Sequence, residues 1–183
     1  PHHENEVAQA EAITGSGSFA QTWLHNGLVQ RDGEKMSKSI GNVVTMQDAL
    51  ERWRPDALRL FVLGSHYRNP NNLTDEAMAA SEAGLDRLLA ALEDLPASSP
   101  TASSESKEQT QFIEALENDF NTPQALAVLF NLVRAINRHR DQGNNIGAAR
   151  LKNSLRELAN VLGLRLEQNN SNAALDMMAL SDL

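Results

Sequence analysis

The chain has 183 residues, 41% of them hydrophobic and only 4% aromatic, enough for one medium core or two small ones built from Leu, Ala and Val, which favours helices over a sheet sandwich. It contains no cysteine, which excludes a disulfide framework and confines any metal site to His and carboxylate donors. No apolar run reaches the roughly 20 residues that a bilayer span needs, and the formal charge of −8 weighs against nonspecific nucleic-acid binding, so a soluble, cytoplasmic protein without a membrane partner is expected.

The opening PHHENEVAQAEA sets two histidines and two glutamates within residues 2–6 and runs into a helical pattern over 4–13. A histidine-rich start is also what a tag remnant leaves. The GSGS turn at 15–18 ends this helix. TWLHNGLVQ at 22–30 reads as a short buried strand interrupted at Asn26-Gly27, and Arg31-Asp32-Gly33 makes a turn after it. EKMSKSIGN at 34–42 is a loop rich in Ser, Gly and Lys. Thr45 caps the next helix, with Asp48 placed for a capping box, and Pro55 stops it.

Two helices are expected at 55–65 and 75–95. The second is capped by Thr74, and its apolar face is Met78, Leu85, Leu88, Leu89, Leu92 and Leu95. PASSPTASSES at 96–106 is the clearest linker. Beyond it a helix is expected at 108–117. Another starts at Thr122-Pro123, a cap followed by proline at the first helical position, and carries Leu126, Leu129, Phe130, Val133 and Ile136 as its stripe. A last helix carries Leu151, Leu155, Leu158 and Leu162, with Gly163 as its cap. The polar tail ends in ALDMMALSDL, an apolar pattern that needs a partner. One short helix and one strand with a long loop cannot form an independent α/β domain, so the chain is expected to be a piece of something larger.

Charge is unevenly spread. Residues 45–95 hold nine acids against five Lys/Arg, whereas 134–165 hold seven Lys/Arg against Asp141 and Glu157. An acidic protein with one such basic stretch can dock a polyanion there, although a solvated helix face has the same composition.

Lys35-Met36-Ser37-Lys38-Ser39 places two cations three residues apart on a glycine-bounded loop. Such a loop can close over a triphosphate. Lys35 and Lys38 would stabilise charge moving onto pyrophosphate as the α-phosphorus is attacked, with Met36 as a latch. KMSKS is the second signature of class I aminoacyl-tRNA synthetases, and within that superfamily the sequence resembles cysteinyl-tRNA synthetase. HHENEVAQAEA at 2–12, WLHNGLV and GEKMSKSIGN within 23–42, DALRLFVLGSHYR at 56–68 and DFNTPQAL at 119–126 carry the resemblance.

The resemblance implies a mainly α chain: the end of a Rossmann-type catalytic domain at 1–44 and a helical stem-contact connector at 45–95. The linker at 96–106 and a DALR/anticodon-side helical bundle at 107–183 would follow. It implies ATP, with Mg2+, bound at Lys35, Met36, Ser37, Lys38 and Ser39, and L-cysteine activated and passed to tRNA(Cys) by a monomer. His2 and Glu6 correspond to the His and Glu of the family's HxxxE zinc unit, whose two cysteine ligands and the HIGH signature would lie upstream. Residues four apart share one helix face, and a soft thiolate binds zinc better than a hydroxyl does. The strand carrying His25 and Trp23 would lie beside the adenylate pocket, with Trp23 expected in the core, and Arg68 at the inner side of the tRNA. Arg134, Arg138 and Arg156 are candidates for its backbone, whereas Arg59 of the DALR motif suits an acid as well as a phosphate. Two other readings stay open: a mycothiol-pathway paralogue that passes cysteine to an amino sugar–inositol, and a helical RNA-binding or scaffolding module without catalysis.

Overall fold

The computed structural model describes residues 2–15, 19–37, 39–93 and 106–167. Lys38, most of the linker at 96–106 and the apolar tail pattern lie outside the described residues. The described chain is mainly helical with one small mixed sheet, in the order α1 (His2–Thr14), β1 (Val29–Arg31), β2 (Glu34–Lys35), α2 (Met46–Arg52), α3 (Pro55–Leu63), β3 (Asn71–Leu73), α4 (Asp75–Leu92), α5 (Lys107–Glu117), α6 (Thr122–Asp141) and α7 (Asn145–Val161).

The expected strand at 22–30 shrinks to its last two residues, which with Arg31 make up β1; Gly27 and Leu28 bond Tyr67 and Asn71 without themselves joining the strand. β1 pairs antiparallel with β2 on one side and parallel with β3 on the other. The β1–β2 turn is Asp32-Gly33, both at positive φ (53° and 82°). A two-residue hairpin of this kind needs that geometry, and Asp-Gly supplies it. Gly33 N–H also donates to Asn72 Oδ1 at 2.8 Å, which ties the turn to β3.

Helix starts follow side-chain chemistry. Thr45 and Asp48 form the anticipated capping box, the Thr45 hydroxyl accepting from Asp48 N–H at 3.1 Å and Thr45 N–H donating to Asp48 at 3.2 Å. Thr74 caps α4, Ser106 caps α5 and Asn144 caps α7. At α6 the cap is Asn121 rather than Thr122: Asn121 Oδ1 accepts from Gln124 N–H at 3.1 Å. The Thr122 hydroxyl instead donates to Leu63 O at 2.9 Å, across to the end of α3. α7 closes with Gly163 at φ 74°, Leu164 N–H bonding Ala159 O and Gly163 N–H bonding Asn160 O. That is the two-bond helix stop for which glycine is favoured.

One core joins α3 through α7. Leu60 and Phe61 of α3 meet Met78, Leu85 and Leu88 of α4, and the cluster continues through Phe112 of α5, Leu126, Leu129 and Ile136 of α6, and Leu155 and Leu158 of α7. Periodicity anticipated most of these faces; Leu89 and Phe130 are only half-buried at its edge. α1 by contrast buries no residue, and Ile13, Trp23, Leu28 and Ile40 stand exposed.

Two arginines fasten helix ends across the fold. Arg54, just before α3, donates its backbone N–H to Glu82 Oε1 at 3.0 Å, and its guanidinium reaches Glu82 and Asp86 of α4. Arg140 of α6 donates to the Ala90 and Ala91 carbonyls in the last turn of α4 and to that of Glu93 just after it, where a helix runs out of amide donors. Arg140→Ala is therefore expected to lower stability by about 1–2 kcal/mol, and Arg140→Lys to recover only part of it, since an ammonium lacks the planar fork. Urea titration of the three proteins measures this; a full recovery by lysine contradicts the fork.

Candidate functional site

The KMSKS loop leaves the sheet directly after β2, so its first lysine, Lys35, is still paired to Gln30 of β1 while its side chain is exposed. Asn42 then brackets the loop. Its Oδ1 accepts Ser37 N–H at 2.9 Å and its Nδ2 donates to Lys35 O at 3.3 Å. Ile40 N–H turns back to Ser37 O at 3.3 Å, and Gly41 follows at φ 73°. Met36 and Ser37 are half-buried, Ser39 is exposed, and the Ser37 and Ser39 hydroxyls lie 3.2 Å apart. The base of the loop is thus bracketed by one amide side chain, with the Ser37 and Ser39 hydroxyls and the Lys35 stem on it. That suits closing over a phosphate chain.

His2 and Glu6 occupy one face of α1, with Nδ1 3.8 Å from Oε1 and both side chains exposed. Imidazole and carboxylate are both zinc donors, so the pair fits half of a four-coordinate site. No group of three or more metal-ligating side chains occurs among the described residues. His3 turns to the other side, where its ring lies 4.6 Å from that of His25 and 5.1 Å from that of Trp23; Phe19 packs on Trp23 at 5.7 Å. This ring cluster joins α1 to the segment that leads into β1. Nothing in the sequence pairs His3 with His25, because ring contacts between separate segments leave no periodic signal.

The four candidate tRNA contacts do not behave alike. Arg134 bonds its neighbour Asn131 and, like Arg138 and Arg156, is exposed. Within the same basic stretch Arg140 is engaged with the end of α4 and Lys152 is only 4% exposed. Arg59 donates to Asp56 Oδ1 at 3.2 Å. Arg68 is already paired: its Nε and Nη2 donate to Asp119 at 2.7 and 3.1 Å, and the Tyr67 hydroxyl donates to the same carboxylate at 2.7 Å. His66 completes the group, 3.8 Å from Asp119. Asp119 was visible in the sequence only as part of DFNTPQAL, and nothing local signals its partners.

The Arg68 guanidinium and then the Tyr67 hydroxyl hold the Asp119 carboxyl down to about 2, from an ordinary 3.8. A folded-state value below the unfolded one adds stability that is present above the unfolded value and lost as pH falls through the folded one. The Tm advantage of the wild type over Asp119→Asn is expected to be full near about pH 6 and to close between about pH 4 and about pH 2. An advantage that persists undiminished at the acid end contradicts this.

Residues 1–83 match the family model described as "tRNA synthetases class I (C) catalytic domain", and residues 111–167 match the DALR domain. The cysteine–tRNA ligase of Methylococcus capsulatus is 47% identical over 167 residues, 90% of this chain and 36% of the relative. That of Halorhodospira halophila is 50% identical over 164 residues, 90% of this chain and 35% of the relative. The Dehalococcoides mccartyi cysteine–tRNA ligase is 43% identical over 186 residues, covering all of this chain and 40% of its own length. The chain spans a little over a third of the length of such curated relatives.

Proposed function

The chain belongs to the cysteinyl-tRNA synthetase family of class I synthetases, and from that premise we propose that it forms the KMSKS loop, half of a zinc-ligand set and the tRNA-side helices of a cysteine–tRNA ligase. The reaction has two steps. The carboxylate of L-cysteine attacks the α-phosphorus of ATP and expels pyrophosphate; the cysteinyl group of the resulting adenylate then moves to the terminal adenosine of tRNA(Cys). The observation that carries this reading is the loop itself, a KMSKS segment rising from a short hairpin and braced at its base by Asn42.

Lys35 and Lys38 supply positive charge where the pyrophosphate departs, which lowers the barrier only to the extent that they bind the leaving group more tightly than the bound triphosphate. Ser37 and Ser39 offer hydroxyl donors to the same oxygens, and Met36, half-buried, latches the loop to the body of the protein. ATP enters with Mg2+, which neutralises the remaining phosphate charge. His2 and Glu6 would hold zinc together with donors from elsewhere. When bound, zinc supplies a soft position for the thiolate of cysteine, and serine is thereby rejected without an editing step.

Residues 1–44 would complete the catalytic unit, 45–95 would face the acceptor-stem side, and 107–183 would lead toward the anticodon. Arg134, Arg138 and Arg156, the exposed cations on α6 and α7, would lie along the tRNA backbone, with Arg68 at its inner side. The working protein would act as a monomer in the cytoplasm. The DALR match and the ligase relatives support delivery to tRNA over delivery to an amino sugar–inositol.

Three measurements test this in the full protein that carries the chain. Labelled cysteine activated with ATP is expected to move onto unfractionated tRNA, and Lys38→Ala is expected to slow ATP–pyrophosphate exchange by on the order of 100-fold or more with cysteine binding unchanged; an unaltered exchange rate refutes the role given to Lys38. Replacing Arg134, Arg138 and Arg156 together by Ala is expected to weaken tRNA retention and to flatten its dependence on salt. Retention with the original salt slope removes these residues from the interface.

A further inference from the structure

The loop's stem is tied to the segment that follows α3 at several points. Gly27 N–H donates to Tyr67 O at 2.7 Å, Asn71 N–H donates to Leu28 O at 3.0 Å, and β1 then runs parallel to β3. Gly33 N–H on Asn72 Oδ1 fastens the far end of the hairpin. The approach at Gly27 is so close that a Cβ there would collide with the Asn69 carbonyl. The hairpin that carries Lys35 is therefore fastened to residues 67–73 along its length.

Residues 67–68 are in turn gripped by the helical bundle through one side chain. Asp119 stands in the turn between α5 and α6, and its two oxygens accept from Tyr67 Oη, Arg68 Nε and Arg68 Nη2, with His66 beside them. The turn adopts an unusual shape to place it: Asp119 and Phe120 both have positive φ, 54° and 52°. Asp tolerates that region, whereas a bulky ring is seldom found there. Phe120 is 57% exposed, so burial of its ring is not what holds the turn. What the conformation achieves is the delivery of a carboxylate to Tyr67 and Arg68. The stability that this exposed carboxylate adds above about pH 4 is modest, and its larger consequence is local geometry.

We propose that Asp119 is a positioning residue for the KMSKS loop: through Tyr67 and Gly27 it holds the β1–β2 hairpin at a fixed place on the helical bundle, so that events at the bundle are felt at the loop. This rests on the function proposed above. The chain of contacts is Asp119 to Tyr67 and Arg68, Tyr67 carbonyl to Gly27 amide, and Gly27 through β1 and β2 to Lys35.

The test uses the full protein that carries this chain, as wild type, as Asp119→Ala and as Arg68→Ala, which opens the clasp from its other side. Amide hydrogen exchange is followed in the peptide covering residues 27–35 and in peptides of α6 and α7. ATP–pyrophosphate exchange gives kcat and the KM for cysteine. Both variants are expected to exchange several-fold faster over 27–35 with α6 and α7 unchanged, and kcat is expected to fall while KM stays. The double variant is expected to be no worse than either single one, because the two residues act as a unit. Unchanged exchange over 27–35 in both variants overturns the coupling, as does acceleration spread evenly through the bundle. A loosened hairpin with unaltered kcat overturns the positioning role. Should the wild type fail to activate cysteine, the functional reading fails, and the exchange data alone still decide whether the clasp holds the hairpin.

Discussion

The structure hinges on a backbone turn held in an unusual conformation. Between α5 and α6 the chain passes through two consecutive residues with positive φ, and the first of them, Asp119, extends its carboxylate to the segment after α3. Without that turn α5 and α6 would still have an apolar reason to pack, since Phe112, Leu126 and Leu129 lie in one core. They would have no polar reason to meet Tyr67 and Arg68. Thr122, three residues on, adds a second tie to Leu63 O, so the start of α6 is pinned to the end of α3 by two independent polar contacts. The apolar core sets which helices are neighbours, and these directional bonds set where along their length they register.

The same division recurs at the other helix ends. Arg140 closes the carbonyl end of α4, and Arg54, just before α3, ties the start of that helix to Glu82 and Asp86 of α4. Arginine suits both places because its fork presents several donors at once without deprotonating. A consequence reaches the nucleic-acid question. A cation that satisfies helix carbonyls has its donors occupied, so the basic stretch 134–165 offers fewer free charges than its composition suggests. Arg134, Arg138 and Arg156 remain exposed, whereas Arg140 and Lys152 face inward.

This explains which parts of the molecule were legible in sequence. Helix faces were, because a repeat near 3.6 residues is a local property: Leu126, Leu129, Val133 and Ile136 are all buried as their spacing required. The caps at Thr45 and Thr74 were legible for the same reason. Thr122 was misassigned because two residues in succession could cap α6, and the choice was made by Leu63, whose carbonyl takes the threonine hydroxyl. The strand at 22–30 was overdrawn because strand length depends on a partner, and β3 supplies only three residues. The loop was found by its motif, but its brace was not. Asn42 looks like any loop asparagine until its amide is seen to bond Ser37 and Lys35 together. The Asp119 clasp and the His3–His25 contact were equally hidden, since each joins residues from separate elements by contacts that no spacing rule encodes.

In the role proposed, a loop that would open for a triphosphate and close around a leaving group gains from a mobile tip and a fixed base. The tip can then sample conformations without misaligning the lysines that matter once it closes. Here the base is fixed three ways: by the Asn42 bracket, by the sheet pairing of Lys35 and by the Gly27–Tyr67 bond. Glycine at 27 is what permits the last of these, because any side chain there would push the Asn69 carbonyl away and separate the hairpin from the connector. The small sheet is therefore better understood as a mount than as part of a core. Its strands bury little, yet they join a helical bundle with a dense apolar centre to a lysine-bearing loop. If that loop handles phosphate as proposed, its precision would depend on the stiffness of the bundle more than on the loop's own composition, and its control would lie among residues that need not touch phosphate.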